Sequence, residues 1–215
     1  MNIREFIGFG GVVLTADVVG NEDHPCVVLL PSLTQTRKVW ESAAKALAQA
    51  GRYVISLDLR GHGGSDSPKD CNYSLEAFMG DLVAVLSQLE SRPVLVGSNF
   101  GGWIGLAAIG NTSAPIATGL VLTNLPPEFQ SLNNESIAKT VSERASSDDF
   151  EKNLFAGGFD FIELQNKLEP AAKNLKLPTL LVRGIDSQIS SSGATQRFAD
   201  LIPQAEISEI EGAGH

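Results

Sequence analysis

Residues 93–109, PVLVGSNFGGWIGLAAI, constrain the fold more than any other part of this chain. Pro93-Val94-Leu95-Val96 reads as a short buried strand, and the apolar run from Trp103 to Ile109 reads as a helix. Only Gly97-Ser98-Asn99-Phe100-Gly101-Gly102 separates them. A strand that passes into a helix through so few residues needs a sharp turn, and small residues on either side of that turn let the two backbones approach.

The rest of the sequence repeats the alternation of strand and helix. Unbroken apolar runs at residues 26–30, 53–57, 120–123 and 179–182 predict strands buried on both faces, with a last strand near 207–210. Residues 5–9 and 12–19 predict an antiparallel pair joined at Gly10-Gly11. Helices are predicted over 37–50, where Trp40, Ala44 and Leu47 share a stripe, after the capping Ser74, where Phe78, Leu82, Val85, Leu86 and Leu89 do, and over 194–201. Such alternation feeds a mostly parallel sheet of about eight strands with flanking helices. The more polar stretch between Pro126 and Leu177 is expected to be a small helical lid, residues 127–176, inserted into a core made of 1–126 and 177–215.

Composition narrows the partners. A net charge of -9, with no basic cluster, disfavours nucleic acid and anionic lipid surfaces. The start lacks a signal-like apolar run, and no apolar stretch is long enough to cross a bilayer, so a cytoplasmic protein is expected, as a monomer or homodimer. Cys26 and Cys71 suit ordinary thiols, and the histidines at 24, 62 and 215 are too scattered for a metal site, so no metal is expected. No cofactor is expected either: the glycines at 97, 101 and 102 do not fit G-x-G-x-x-G and follow the fifth strand, not the first.

In an open α/β sheet, ligands sit beyond the carboxyl ends of the strands. The loops after the third, fifth, seventh and last strands carry Pro31-Ser32-Leu33, the 97–102 turn, Gly184-Ile185-Asp186-Ser187-Gln188-Ile189-Ser190, and Gly212-Ala213-Gly214-His215. The 97–102 turn, the Asp58-Leu59-Arg60-Gly61-His62-Gly63-Gly64-Ser65 loop matching D-x-R-G-H-G-x-S, and the terminal Gly-Ala-Gly-His follow one another as they do in α/β-hydrolases. The chain resembles that superfamily over nearly its whole length. The resemblance implies an α/β-hydrolase fold with a nucleophile elbow, a general-base histidine at His215 and an acid on the loop after the seventh strand.

Several positions depart from that pattern. Asn99 stands where the nucleophile belongs, and a carboxamide cannot replace a serine alkoxide or an aspartate carboxylate. Ser98 is adjacent, but the elbow aims one side chain only. In one register Gln188 replaces the acid and Asp186 is a nearby substitute. Pro31-Ser32 replaces the usual His-Gly, leaving the amides of Leu33 and Phe100 as the candidate oxyanion donors. The resemblance reads His62 as structural support. Three functions stay open: a hydrolase acting on a small, mainly apolar ester-like substrate, a non-catalytic binding protein, and non-covalent catalysis with His215 as base and Asn99 as a polar positioner. An aspartate exchanged for asparagine, as on a dehalogenase-like or epoxide-hydrolase-like elbow, is a variant of the first.

Overall fold

The computed structural model describes residues 1–33, 35–124, 160–187 and 190–214. Eight strands, β1 (Asn2–Ile7), β2 (Val13–Val19), β3 (Cys26–Leu30), β4 (Tyr53–Leu57), β5 (Val94–Ser98), β6 (Gly119–Thr123), β7 (Thr179–Gly184) and β8 (Ala205–Ile210), form one sheet in the order β1-β2-β4-β3-β5-β6-β7-β8. β2 runs antiparallel to β1 and β4, and the remaining pairs are parallel. β3 and β4 are buried along their whole length, as their unbroken apolar runs require of central strands covered on both faces.

Alternate residues of these strands feed two apolar layers. Val27, Leu29 and Val54 pack with Ala44 of α1 (Glu41–Gln49), joined by the half-buried Trp40, Leu47 and Val96. Val28, Leu30, Ile55, Leu57 and Leu95 turn to the larger layer, which α2 (Leu75–Ser87) and α3 (Phe100–Gly110) cover. The single helix expected over 37–50 is in fact a 3-10 turn, Arg37–Trp40, followed by α1. The backbone N–H of Arg37 is drawn to the Asp58 carboxylate at 2.6 Å, and its guanidinium also bonds Asp58 and Asp17, which fixes the segment's first turn from outside.

Ser74 caps α2 by accepting from the Ala77 N–H at 3.3 Å. One charged side chain, Asp81, is buried on the apolar stripe of this helix because Arg60 is buried opposite it. Arg60 donates from Nε and Nη2 to the two Asp81 oxygens, each at 2.6 Å, and Asp81 also accepts the Phe9 N–H at 2.8 Å. The pair therefore anchors the β1–β2 turn to the helix layer.

α4 (Phe161–Asn174) and α5 (Ser192–Ala199) complete the helices among the described residues. α4 falls within the stretch expected to be a lid, yet it buries Leu164, Leu168, Ala171 and Ala172 in the main core, and Asn174 donates to the Gly110 carbonyl at the end of α3. The rest of that expected insertion, 127–159, lies outside the described residues. Among the described residues no helix is long and apolar enough to cross a membrane.

Candidate functional site

Strand register sets the floor of the site. Leu30 pairs with Gly97, Ser98 with Thr123, and Thr123 with Val182, so β3, β5 and β6 end in one row and β7 runs past it to Gly184. The residues that follow, Pro31, Asn99 and Asn124, stand along one edge of the sheet.

Asn99 occupies the apex of the turn, with φ 46° and ψ -113°. This lies outside the left-handed basin that asparagine tolerates, and such a conformation costs on the order of 1–3 kcal/mol unless its surroundings hold it. They do. The Asn99 N–H donates to the Thr123 carbonyl at 2.9 Å, and the Asn99 carbonyl accepts the Trp103 N–H at 3.0 Å. The two glycines beside the apex leave no room for larger residues. A Cβ at Gly97 would stand 2.4 Å from Gly102 N and Cα, and one at Gly101 would stand 2.4 Å from the Pro31 carbonyl oxygen. Every residue of α3 is buried, so Asn99, half-buried, is where this segment first emerges from the core. The sharp turn from strand to helix expected at 97–102 is present, with a carboxamide side chain at its apex. Asn99→Gly is expected to raise the unfolding free energy by roughly 1 kcal/mol, strain relief outweighing the entropy of the added glycine, measured as a higher urea midpoint at unchanged m.

The neighbours of the apex divide by what they present. Ser98 is half-buried at the end of β5. The Phe100 ring is buried and meets Phe78 edge-on, with centroids 5.2 Å apart and planes at 88°. Its N–H belongs to the first turn of α3, where N–H groups face out of the helix end. Across from it runs the loop after β3, with Pro31 and Leu33 buried and Ser32 half-buried. The Leu33 carbonyl faces Nε2 of His62, whose Nδ1 lies 2.9 Å from the Arg60 carbonyl. Burial pushes the His62 imidazole below its ordinary range, and the carbonyls of Arg60 and Leu33 oppose that without cancelling it.

The same 58–65 loop reaches the far end of the β3 loop. Asp58, fully buried, accepts from the Arg37 backbone, the Arg37 guanidinium and the Gly64 N–H. Beyond it, burial raises the Asp17 carboxyl, but hydrogen bonds from Lys38 and Arg37 outweigh this and leave it below the usual value. These ionic groups form the scaffold behind the loop.

Asp186 is exposed on the turn after β7, and its N–H donates to the Ala213 carbonyl at 3.0 Å. Gly184 packs directly under the terminal loop, since a Cβ there would stand 2.3 Å from the carbonyl oxygens of Ala213 and Gly214. Arg183 secures both ends of the segment, donating from Nε to the Ser190 carbonyl at 2.6 Å and from Nη2 to the Ile185 carbonyl at 3.1 Å, with Glu209 on Nη1 at 2.6 Å. Gln188 and His215 lie outside the described residues. The structure thus sets Pro31, which precedes Ser32 and Leu33, against the turn that carries Ser98, Asn99 and Phe100, and joins the loop of Asp186 to the loop that leads to residue 215.

Sequence reasoning passed over the end of β6. Asn124 has φ 54°, follows the strand whose Thr123 carbonyl holds the apex, and donates its N–H to the Val182 carbonyl at 3.4 Å. The signal was strand order, which puts β6 directly beside the elbow strand and which the linear sequence does not state. Burial raises the Cys26 thiol to about 11, Cys71 is exposed, and among the described residues no group of His, Cys, Asp and Glu could hold a metal ion.

Comparison with known proteins agrees with this architecture. A model of the alpha/beta hydrolase fold family matches residues 25–161, well over half of the chain. The sn-1-specific diacylglycerol lipase ABHD11 of Mus musculus is 27% identical over 238 residues, covering 91% of this chain and 76% of that protein. The non-heme chloroperoxidase CPO-A1 of Kitasatospora aureofaciens is 26% identical, covering 82% of this chain and 79% of its own. Among solved structures, an esterase from Exiguobacterium antarcticum superposes with a TM-score of 0.78 at 17% identity, over 99% of this chain and 92% of that one. With its strand order and the family match in agreement, the chain belongs to the alpha/beta hydrolase fold family.

Proposed function

We propose that this protein binds a small, mainly apolar, ester-like molecule at the carboxyl edge of its sheet and lacks the covalent step of a serine hydrolase. The observation that carries this reading is Asn99 at the apex of the sharp turn between β5 and α3, φ 46° and ψ -113°. The backbone presents one side chain there, and a carboxamide offers a ligand both a donor and an acceptor but no attacking oxygen. Support for the ligand class comes from relatives whose names speak of a lipase and an esterase, and for a site that outlives one reaction from another named as a chloroperoxidase. His215 and either Asp186 or Gln188 complete the proposed site as imidazole and orienting partner. Ser32 and the amides of Leu33 and Phe100 form its polar wall.

The test is a panel of p-nitrophenyl esters. The natural chain is expected to give no turnover above a protein-free control, and Asn99→Ser to give measurable hydrolysis of short acyl esters. Turnover by the natural chain that vanishes in His215→Ala would overturn the reading. Silence of Asn99→Ser would mean that the site has decayed beyond the apex. Asn99→Asp, assayed on epoxides and haloalkanes, tests whether a carboxylate restores chemistry at the same tip.

A further inference from the structure

We infer that His62 is a positioning residue for the candidate oxyanion loop, anchoring the Ser32-to-Gln35 turn that carries the Leu33 N–H through the contact between its Nε2 and the Leu33 carbonyl. The inference rests on the reading that the Leu33 and Phe100 amides face the ligand, and it goes beyond structural support of the 58–65 loop.

The loop after β3 is held at both ends by groups outside itself. At its start, the carbonyls of Leu30 and Pro31 lie against Gly101, so the chain leaves β3 in contact with the first turn of α3. At its far end, the Arg37 N–H and guanidinium are fixed on Asp58. Between these anchors the Leu33 side chain is 5% exposed, and Ser32, unlike a glycine, does not move readily to positive φ. The Leu33 N–H lies in the Ser32–Leu33 peptide, whose carbonyl accepts the Gln35 N–H at 3.0 Å, and the Leu33 carbonyl on His62 ties that turn to the 58–65 loop.

His62 is suited to the task because its own position is rigid. It is 7% exposed, its N–H donates to the Leu59 carbonyl at 3.0 Å, and its carbonyl accepts the Ser65 N–H at 2.9 Å. Its ring stands between the carbonyls of Arg60, within its own loop, and Leu33, across the site; a neutral imidazole carries one N–H, and we assign it to Nε2, toward Leu33. That bond carries the rigidity of the 58–65 loop to the wall of the site. A misplaced oxyanion donor loses much of its effect, since an error of about 1 Å in a catalytic group costs on the order of a hundredfold in rate.

The two contacts can be separated by substitution. Glutamine places an amide nitrogen about where Nε2 stands, toward Leu33, and asparagine places one about where Nδ1 stands, toward Arg60. In the Asn99→Ser background with p-nitrophenyl butyrate, His62→Gln is expected to keep kcat within about threefold, and His62→Asn to lose about tenfold or more at unchanged KM and similar thermal midpoint. Equal loss in both, or retention in both, would overturn the inference. Should Asn99→Ser itself be silent, the site has decayed beyond the apex and the positioning role is read separately in the natural chain. Amide exchange at Leu33, Gln35 and Arg37 is then expected to be at least about tenfold faster in His62→Asn than in His62→Gln, with β5 and β6 equally protected in both. Equal exchange at those three amides would overturn it.

Discussion

Gly101→Ala is expected to destabilise the protein by about 3 kcal/mol or more, while Gly105→Ala, one turn further along the same helix, leaves it as stable or stabilises it by about 0.5–1 kcal/mol. The opposite signs follow from what each new methyl would meet. At 101 the Cβ would stand 2.4 Å from the Pro31 carbonyl oxygen and 2.7 Å from that of Leu30, and both are backbone atoms that cannot swing aside. At 105 the nearest atom is the Leu120 Cδ1 at 3.6 Å, an ordinary contact, and alanine is the better helix former. For a chain of this length the first change corresponds to a fall of roughly 10 °C in the thermal midpoint. Calorimetry on the two variants checks it, and a Gly101→Ala protein as stable as the natural one would mean that the turn is not packed as described.

Asp81→Ala is expected to cost about 3–5 kcal/mol, because it leaves the Arg60 guanidinium buried without its carboxylate. Arg60 is 1% exposed and Asp81 4%, so water cannot replace the missing partner without opening the core. The Phe9 N–H loses its acceptor as well, which loosens the β1–β2 turn. Within the folded protein, burial raises the Asp81 carboxyl more than Arg60 lowers it, so the pair is held together by geometry against a large desolvation cost. The double replacement Arg60→Met with Asp81→Leu is accordingly expected to recover most of the loss, since an apolar pair of similar volume carries no such cost. Urea unfolding of the single and double variants separates the two statements: a double variant no better than Asp81→Ala would show that the hydrogen bonds to the turn, and not the charges, hold the region.

Legibility of the sequence tracked the range of the interactions involved. Strands such as Val94–Ser98 and the capped start of α2 at Ser74 were readable because neighbouring residues determine them, and the sharp turn at Asn99 was readable because its glycines lie two residues to either side. Long-range partners were not readable. The break at Arg37–Trp40 depends on Asp58 and Asp17, the burial of Asp81 on Arg60, and the importance of Asn124 on the order of strands in space. A helical periodicity gives no warning of a carboxylate twenty-one residues away that captures its first amide. In the site itself the departure at residue 99 was plain, whereas the role of His62 requires knowing that the loop after β3 folds back over it.

Arg183 ties Ile185 and Ser190 to one guanidinium, and the Asp186 N–H joins that segment to Ala213. The segment's anchorage is thus carried by a side chain outside it and by main-chain atoms within it, neither of which depends on the identity of the side chains at its tip. Anyone wishing to change the acid carried on that loop inherits a ready mounting, and has only a functional group to choose.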